Sequence, residues 1–86
     1  MRLLFHKNFD KQFGKLRKTE RKKAQERLAL FLRNPFNPLL NNHPLKGKYL
    51  DYRSINITGD LRAIYKSSNE DECFFVAIDS HSNLYS

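Results

Sequence analysis

Eighty-six residues, 40% of them apolar and 13% aromatic, are enough for one domain with one core, since a chain of this size buries only about 60–65% of its unfolded surface. Sixteen Lys+Arg against nine Asp+Glu leave a net charge of +7, which favours a polyanionic partner. The lone Cys73 excludes an internal disulfide and suits a reducing compartment; with no stretch near the roughly 18–20 apolar residues a membrane span needs and no long apolar signal core at the N-terminus, a soluble, cytoplasmic protein is expected.

In chain order, Arg2-Leu3-Leu4-Phe5 is a short strand ended by His6-Lys7-Asn8. A first helix is expected from Asn8, a good N-cap, to about Arg17, with Phe9, Phe13 and Leu16 on its core face. Lys7, Lys11, Lys15 and Lys18 then fall within about 80° of arc on the opposite side. They read either as a docking stripe or as a solvated face. A second helix, capped by Thr19, runs to Arg33 with Ala24, Leu28, Phe31 and Leu32 as its apolar stripe. Asn34-Pro35 stops it, because proline disfavours a helical residue before it.

Asn34 to Lys48 has no periodicity and is an irregular loop, a place where binding groups often sit. Tyr49 to Ile57 alternates as a strand with Ile55 and Ile57 on one face, and Thr58-Gly59 is a tight turn. Leu61 to Lys66 is the next strand, with Leu61, Ala63 and Tyr65 opposite Arg62 and Ile64. Ser67 to Glu72 turns the chain into a buried strand, Cys73 to Ile78. Asp79-Ser80 breaks that strand and leads to a terminal turn, His81-Ser82-Asn83-Leu84-Tyr85. The order β-α-α-β-β-β predicts an α+β sandwich, a helix hairpin lying on an antiparallel meander.

The widely spaced His6, His43 and His81, with no CxxC or HExxH, suggest no metal site, and the three glycines form no phosphate loop. What remains is a polar set: His43, Lys46, Lys48, Arg53, Asp60, Arg62, His81 and Tyr85. A terminal segment has little packing reason to carry both an imidazole and a phenol. Imidazole transfers protons near neutral pH, and a tyrosine ring stacks on an unpaired base. RNA can be cut without a metal ion if its 2′-OH attacks the adjacent phosphorus. That needs a base at the 2′-OH, an acid for the 5′-oxygen and positive charge on the phosphorane. His81 is the best acid, Asp60 or His43 the best base, and Arg62 the best phosphate clamp. Plainer readings exist for each. Asp60 also suits a turn, Arg62 could bridge to Asp60 or Asp51 on the surface, and Tyr49, Tyr52 and Tyr65 read as sheet and core aromatics.

His43-Pro44-Leu45-Lys46-Gly47, Tyr52-Arg53-Ser54-Ile55, Gly59-Asp60-Leu61-Arg62-Ala63-Ile64-Tyr65-Lys66 and His81-Ser82-Asn83-Leu84-Tyr85, in this order, resemble the RelE/ParE toxin superfamily. They are most similar to its YafQ-like mRNA interferases, and the resemblance covers nearly the whole chain. It implies a toxin of a bacterial type II toxin–antitoxin system that cuts mRNA in the ribosomal A site. It puts His43, Asp60 and His81 on active-site positions, Tyr85 on an aromatic position near the terminus and Arg62 on the arginine after the Gly-Asp turn. Lys46, Lys48, Arg53 and the stripe of Lys11, Lys15 and Lys18 would then contact RNA, with no cofactor or metal. A cognate acidic antitoxin, the ribosome and mRNA are the implied partners, with no membrane and with oligomers only through the antitoxin. The chain departs from that pattern at Asn56, where the branch carries another histidine, at Leu61, where it carries an aromatic, and at Asp79-Ser80, where it carries a small pair. Two other readings remain open: a ParE-like inhibitor of gyrase that acts by binding, and a basic nucleic-acid-binding module.

Overall fold

A computed structural model describes residues 1–85. The chain runs β1 (Arg2–Phe5), α1 (Lys7–Gly14), α2 (Lys18–Arg33), a 3₁₀ turn (Pro38–Leu40), β2 (His43–Pro44), a second 3₁₀ turn (Gly47–Tyr49), β3 (Arg53–Asn56), β4 (Leu61–Asn69), β5 (Glu72–Ser80) and α3 (His81–Tyr85). The strands form one five-stranded sheet in the order β1-β5-β4-β3-β2. Strands β2 to β5 are the expected antiparallel meander. Strand β1 lies outside it, parallel to β5, with Leu4 beside Phe74. No local pattern announces that placement, because parallel neighbours are joined through a long excursion of chain.

The helix hairpin covers one face of the sheet. Phe9, Ala24 and Phe31 meet Ile55, Ile57, Leu61, Ala63, Tyr65, Cys73, Phe75 and Ile78 there. Its centre is a knot of rings: Phe31 lies 4.9 Å from Tyr65 and 5.4 Å from Phe75, both edge to face. Each such buried ring contributes about 1.5–3 kcal/mol through area alone. A smaller cluster on the other face joins Leu45, Ile64, Ala77 and Leu84 to the flanks of Tyr49, Tyr52 and Val76. The two faces trade residues at a bulge. Ile64 pairs with Ala77 but Tyr65 with Phe75, leaving Val76 unmatched. Cys73, Phe75 and Ile78 therefore face the helices while Ala77 faces away.

Several boundaries differ from the sequence expectation. The first helix is capped by His6, whose Nδ1 accepts the Asn8 N–H at 2.9 Å. Asn8 lies inside the first turn and donates from its side chain to the Val76 carbonyl at 3.0 Å. Gln12, one turn on, accepts the Ile78 N–H at 3.0 Å. Strand β1 ends at Phe5, level with Phe75. These two amides thus serve the β5 edge beyond it, where a bare strand edge would invite pairing with another chain. The helix closes at Gly14 rather than Arg17, with the Lys15 N–H turned back onto the Gln12 carbonyl at 3.1 Å. The second helix is capped by Arg17, not Thr19, and the Glu20 carboxylate accepts the Arg17 N–H at 2.9 Å. Leu32 is 46% exposed and stands outside the core.

The expected strand from Tyr49 to Ile57 shrinks to β3, because Tyr49 closes the 3₁₀ turn and Asp51 takes a left-handed φ of 74°. Strands β4 and β5 run longer than their apolar stretches, since pairing carries them on. Asp79 and Ser80 stay in the ladder opposite Arg62 and Leu61 and do not break it. The terminal turn is a single helical turn whose Leu84 is buried.

Candidate active site

A cleft of about 460 Å³ opens where β2, β3 and β4 meet α3. His43, Arg62, His81 and Tyr85 line it together with Asn41, Leu45 and Ser54. Side chains from four separate stretches of sequence thus share one hollow.

His43 sits on β2 beside Ser54 of β3. Its Nδ1 is 2.7 Å from the Asn41 carbonyl. A carbonyl only accepts, so Nδ1 carries the proton there and the neutral ring presents the lone pair of Nε2. Asn41 reaches this pose through a left-handed φ of 45°, which asparagine tolerates better than most residues. Arg62 projects from β4 with its Nη1 donating to the carbonyls of Thr58 at 2.9 Å and Leu61 at 3.0 Å. No bridge to Asp60 or Asp51 forms among the described residues, so the rest of the guanidinium fork remains available to an anion.

His81 and Tyr85 stand one turn apart on α3 with ring centroids 4.7 Å apart. The helix is fixed at its start by a chain of polar contacts. The Ser80 hydroxyl accepts the Asn83 N–H at 3.2 Å, a serine cap. Asp79 accepts the Ser80 N–H at 2.7 Å and the Asn83 side-chain amide at 3.1 Å. Its second oxygen accepts from Gln12 of α1 at 3.4 Å. The pair Asp79-Ser80 is therefore the anchor of the terminal helix, and Leu84 pins the helix from below.

Asp60 stands outside this lining. Its exposed carboxylate has no partner among the described residues, while its backbone carbonyl accepts the His81 N–H at 2.9 Å. Arg53 shares the side of Ile55 and Ile57, away from the cleft. There its Nε donates to the Asn42 side chain at 2.8 Å, and its guanidinium lies 5.4 Å from the Phe36 ring centre. Lys46 and Lys48 are exposed around the second 3₁₀ turn, Lys48 over the Tyr49 ring at 5.4 Å. Lys11, Lys15 and Lys18 are exposed on the helix hairpin. Because α1 closes at Gly14, Lys15 lies in the joint and Lys18 opens α2, so the expected single-helix stripe is split. No cluster of His, Cys, Asp and Glu suited to a metal ion occurs among the described residues.

Ser54 carries no functional signal in sequence, yet it is fully buried in the cleft floor and its hydroxyl has no protein partner. Asn56, two residues on and opposite Arg62, also buries an unpartnered side-chain oxygen. Their alternation with Ile55 and Ile57 marks a strand face that is polar although covered. Buried polar atoms without partners are costly and rare in folded proteins.

The fold is that of known bacterial toxins. YafQ from Escherichia coli BL21(DE3) superposes with a TM-score of 0.83 at 20% identity, covering 99% of this chain and 98% of that one. A YoeB/ParE toxin from Agrobacterium tumefaciens gives 0.77 at 22% identity over 94% and 99%. YafQ in the E. coli DinJ–YafQ toxin–antitoxin complex gives 0.79 at 20% identity over 99% and 97%. No curated protein matches the chain in sequence. The model of the family described as the bacterial toxin of type II toxin–antitoxin systems, YafQ, matches residues 1–86. The chain belongs to the YafQ toxin family. No helix among the described residues is long and apolar enough to cross a membrane.

Proposed function

We propose that the protein is an endoribonuclease that cuts mRNA in the ribosomal A site and so arrests translation. The observation that carries this reading is the cleft itself, which gathers two imidazoles, a guanidinium and a phenol. The unprotonated Nε2 of His43 takes the 2′-OH proton as the 2′-oxygen attacks phosphorus. Arg62 holds the non-bridging oxygens, and His81 gives a proton to the departing 5′-oxygen. The P–O5′ bond breaks as the P–O2′ bond forms, leaving a 2′,3′-cyclic phosphate and a 5′-hydroxyl. Tyr85 stacks on a base and keeps the backbone in line. The pinned tautomer of His43 favours it over Asp60 as the base, with Asp60 acting beside the cleft through its tie to His81. Lys46 and Lys48 flank the entering RNA, and Lys11, Lys15 and Lys18 dock on ribosomal RNA from the helix layer.

Such an activity needs restraint in the cell that makes it. An antitoxin with an acidic segment that folds on binding would supply it; the similar toxin YafQ is solved in a toxin–antitoxin complex with DinJ. Primer extension on cellular mRNA after brief induction tests the cleavage reading. New 5′ ends within translated codons are expected. Growth arrest with intact mRNA and relaxed or broken plasmid DNA would replace it with gyrase poisoning.

A further inference from the structure

A second hollow, of about 390 Å³, lies on the same open face of the sheet, beyond the Tyr49 ridge. Val76 and Ala77 form its floor, and the rings of His6, Tyr49, Tyr52 and Phe74 its walls. We propose that it is a nucleobase subsite for the RNA strand that leaves the cleft, an inference that rests on the cleavage reading for its strand path.

The rings connect the two hollows. Tyr85 at the cleft stands 6.2 Å from Tyr49, and Tyr49 stands 6.2 Å from Tyr52, each edge to face. From Val76 in the hollow to Ser80, the residue before the cleft's His81, β5 advances four residues, roughly 13 Å at strand rise, within reach of a short single strand. Charge follows the same path. Lys48 Nζ lies 5.4 Å from the Tyr49 ring centre and Lys66 Nζ 5.6 Å from that of Tyr52. Arriving phosphates draw these ammonium groups off the rings and free the ring faces for bases. Aromatic faces beside mobile cations are the usual means of holding single strands. The hollow also offers one oriented donor. His6 Nδ1 accepts the Asn8 N–H, so the neutral ring of this exposed residue carries its proton on Nε2, a donor for a base edge.

The probe is a hexauridylate with 2′-O-methyl groups, which cannot be cut, alongside its dinucleotide counterpart, which fills the cleft alone. Binding is read by fluorescence anisotropy and by NMR shifts of the free protein. The hexamer is expected to shift His6, Tyr52, Phe74 and Val76, and the dinucleotide to shift only cleft residues. Tyr49→Leu and Tyr52→Leu should each weaken the hexamer about tenfold or more and leave the dinucleotide unaffected. Phe36→Leu, a ring 65% exposed elsewhere, should change neither. Shifts confined to the cleft, or equal hexamer affinity in the tyrosine variants, overturn the subsite. The shift map uses unaltered protein, so a variant that folds poorly does not block the test. Cleavage of ribosome-bound mRNA with no shift in the hollow removes the subsite alone. Binding in the hollow without cleavage removes the nuclease reading and keeps the subsite.

Discussion

The two faces of the sheet are built from alternate residues of the same strands, yet they do different work. Toward the helices, Ile55, Ile57, Leu61, Ala63, Tyr65 and Phe75 close into an apolar, ring-rich core. Away from them, Ser54, Asn56 and Arg62 occupy the intervening positions and keep unmet hydrogen-bonding capacity next to the cleft. The larger apolar core lies on one side of the backbone and the polar cleft on the other. A change on one face should therefore leave the other face's readout nearly untouched.

The strongest test of that separation is His81→Ala. Loss of one proton-transfer group should lower mRNA cleavage by about 10²–10⁴-fold, while the melting temperature stays near that of the parent because the ring is exposed. Undiminished cleavage by the soluble variant would remove His81 from the mechanism. Phe31→Ala is the mirror experiment. Emptying the centre of the ring knot should cost about 3–5 kcal/mol, read by urea unfolding. A variant that folds stably yet no longer cuts would break the comparison, because the core would then be acting on the site directly.

Asp79→Ala probes a place where the faces are tied, through Gln12 of α1 to Asp79 and on to the terminal helix. Misplacing His81 by a fraction of an ångström should slow single-turnover cleavage tenfold to about 100-fold with little change in the concentration of ribosomes needed for half-saturation. Asp79→Asn, which keeps one acceptor oxygen for the Ser80 and Asn83 donors and loses the one facing Gln12, should recover much of that rate. A drop in stability with an unchanged rate would make the contact purely structural.

The smallest effect is expected at the sheet's far edge. The Arg2 guanidinium, hydrogen-bonded to Glu72, holds that carboxyl below its ordinary value near 4.5. A depressed folded value stabilises the protein above the unfolded one and loses its effect as pH falls through the folded one. The acid-side loss below about pH 4.5 should therefore be slightly gentler in Glu72→Gln, with no change in cleavage at neutral pH. A larger change in melting temperature at pH 3 than at pH 7 would contradict that sign.

Much of this was legible in the amino-acid order. The helix pair, the meander and the set of His43, Arg62, His81 and Tyr85 that the cleft brings together were expected from periodicity, turn residues and motifs that resemble those of YafQ-like toxins. Arg53, expected among the RNA contacts, shares the parity of Ile55 and Ile57 and lies away from the cleft. Other features depended on partners distant in sequence. Strand β1 found its place beside β5, His6 rather than Asn8 became the cap, and Asp79-Ser80 became an anchor because Gln12 arrived alongside. The bulge at Val76 exchanged the faces of β5, and Ser54 gained meaning only once a cleft opened above it. Local order determines which residues tend toward helix, strand or turn, because those tendencies depend on near neighbours. Tertiary structure decides which polar atoms are left without a partner, because that depends on every surface that comes to cover them.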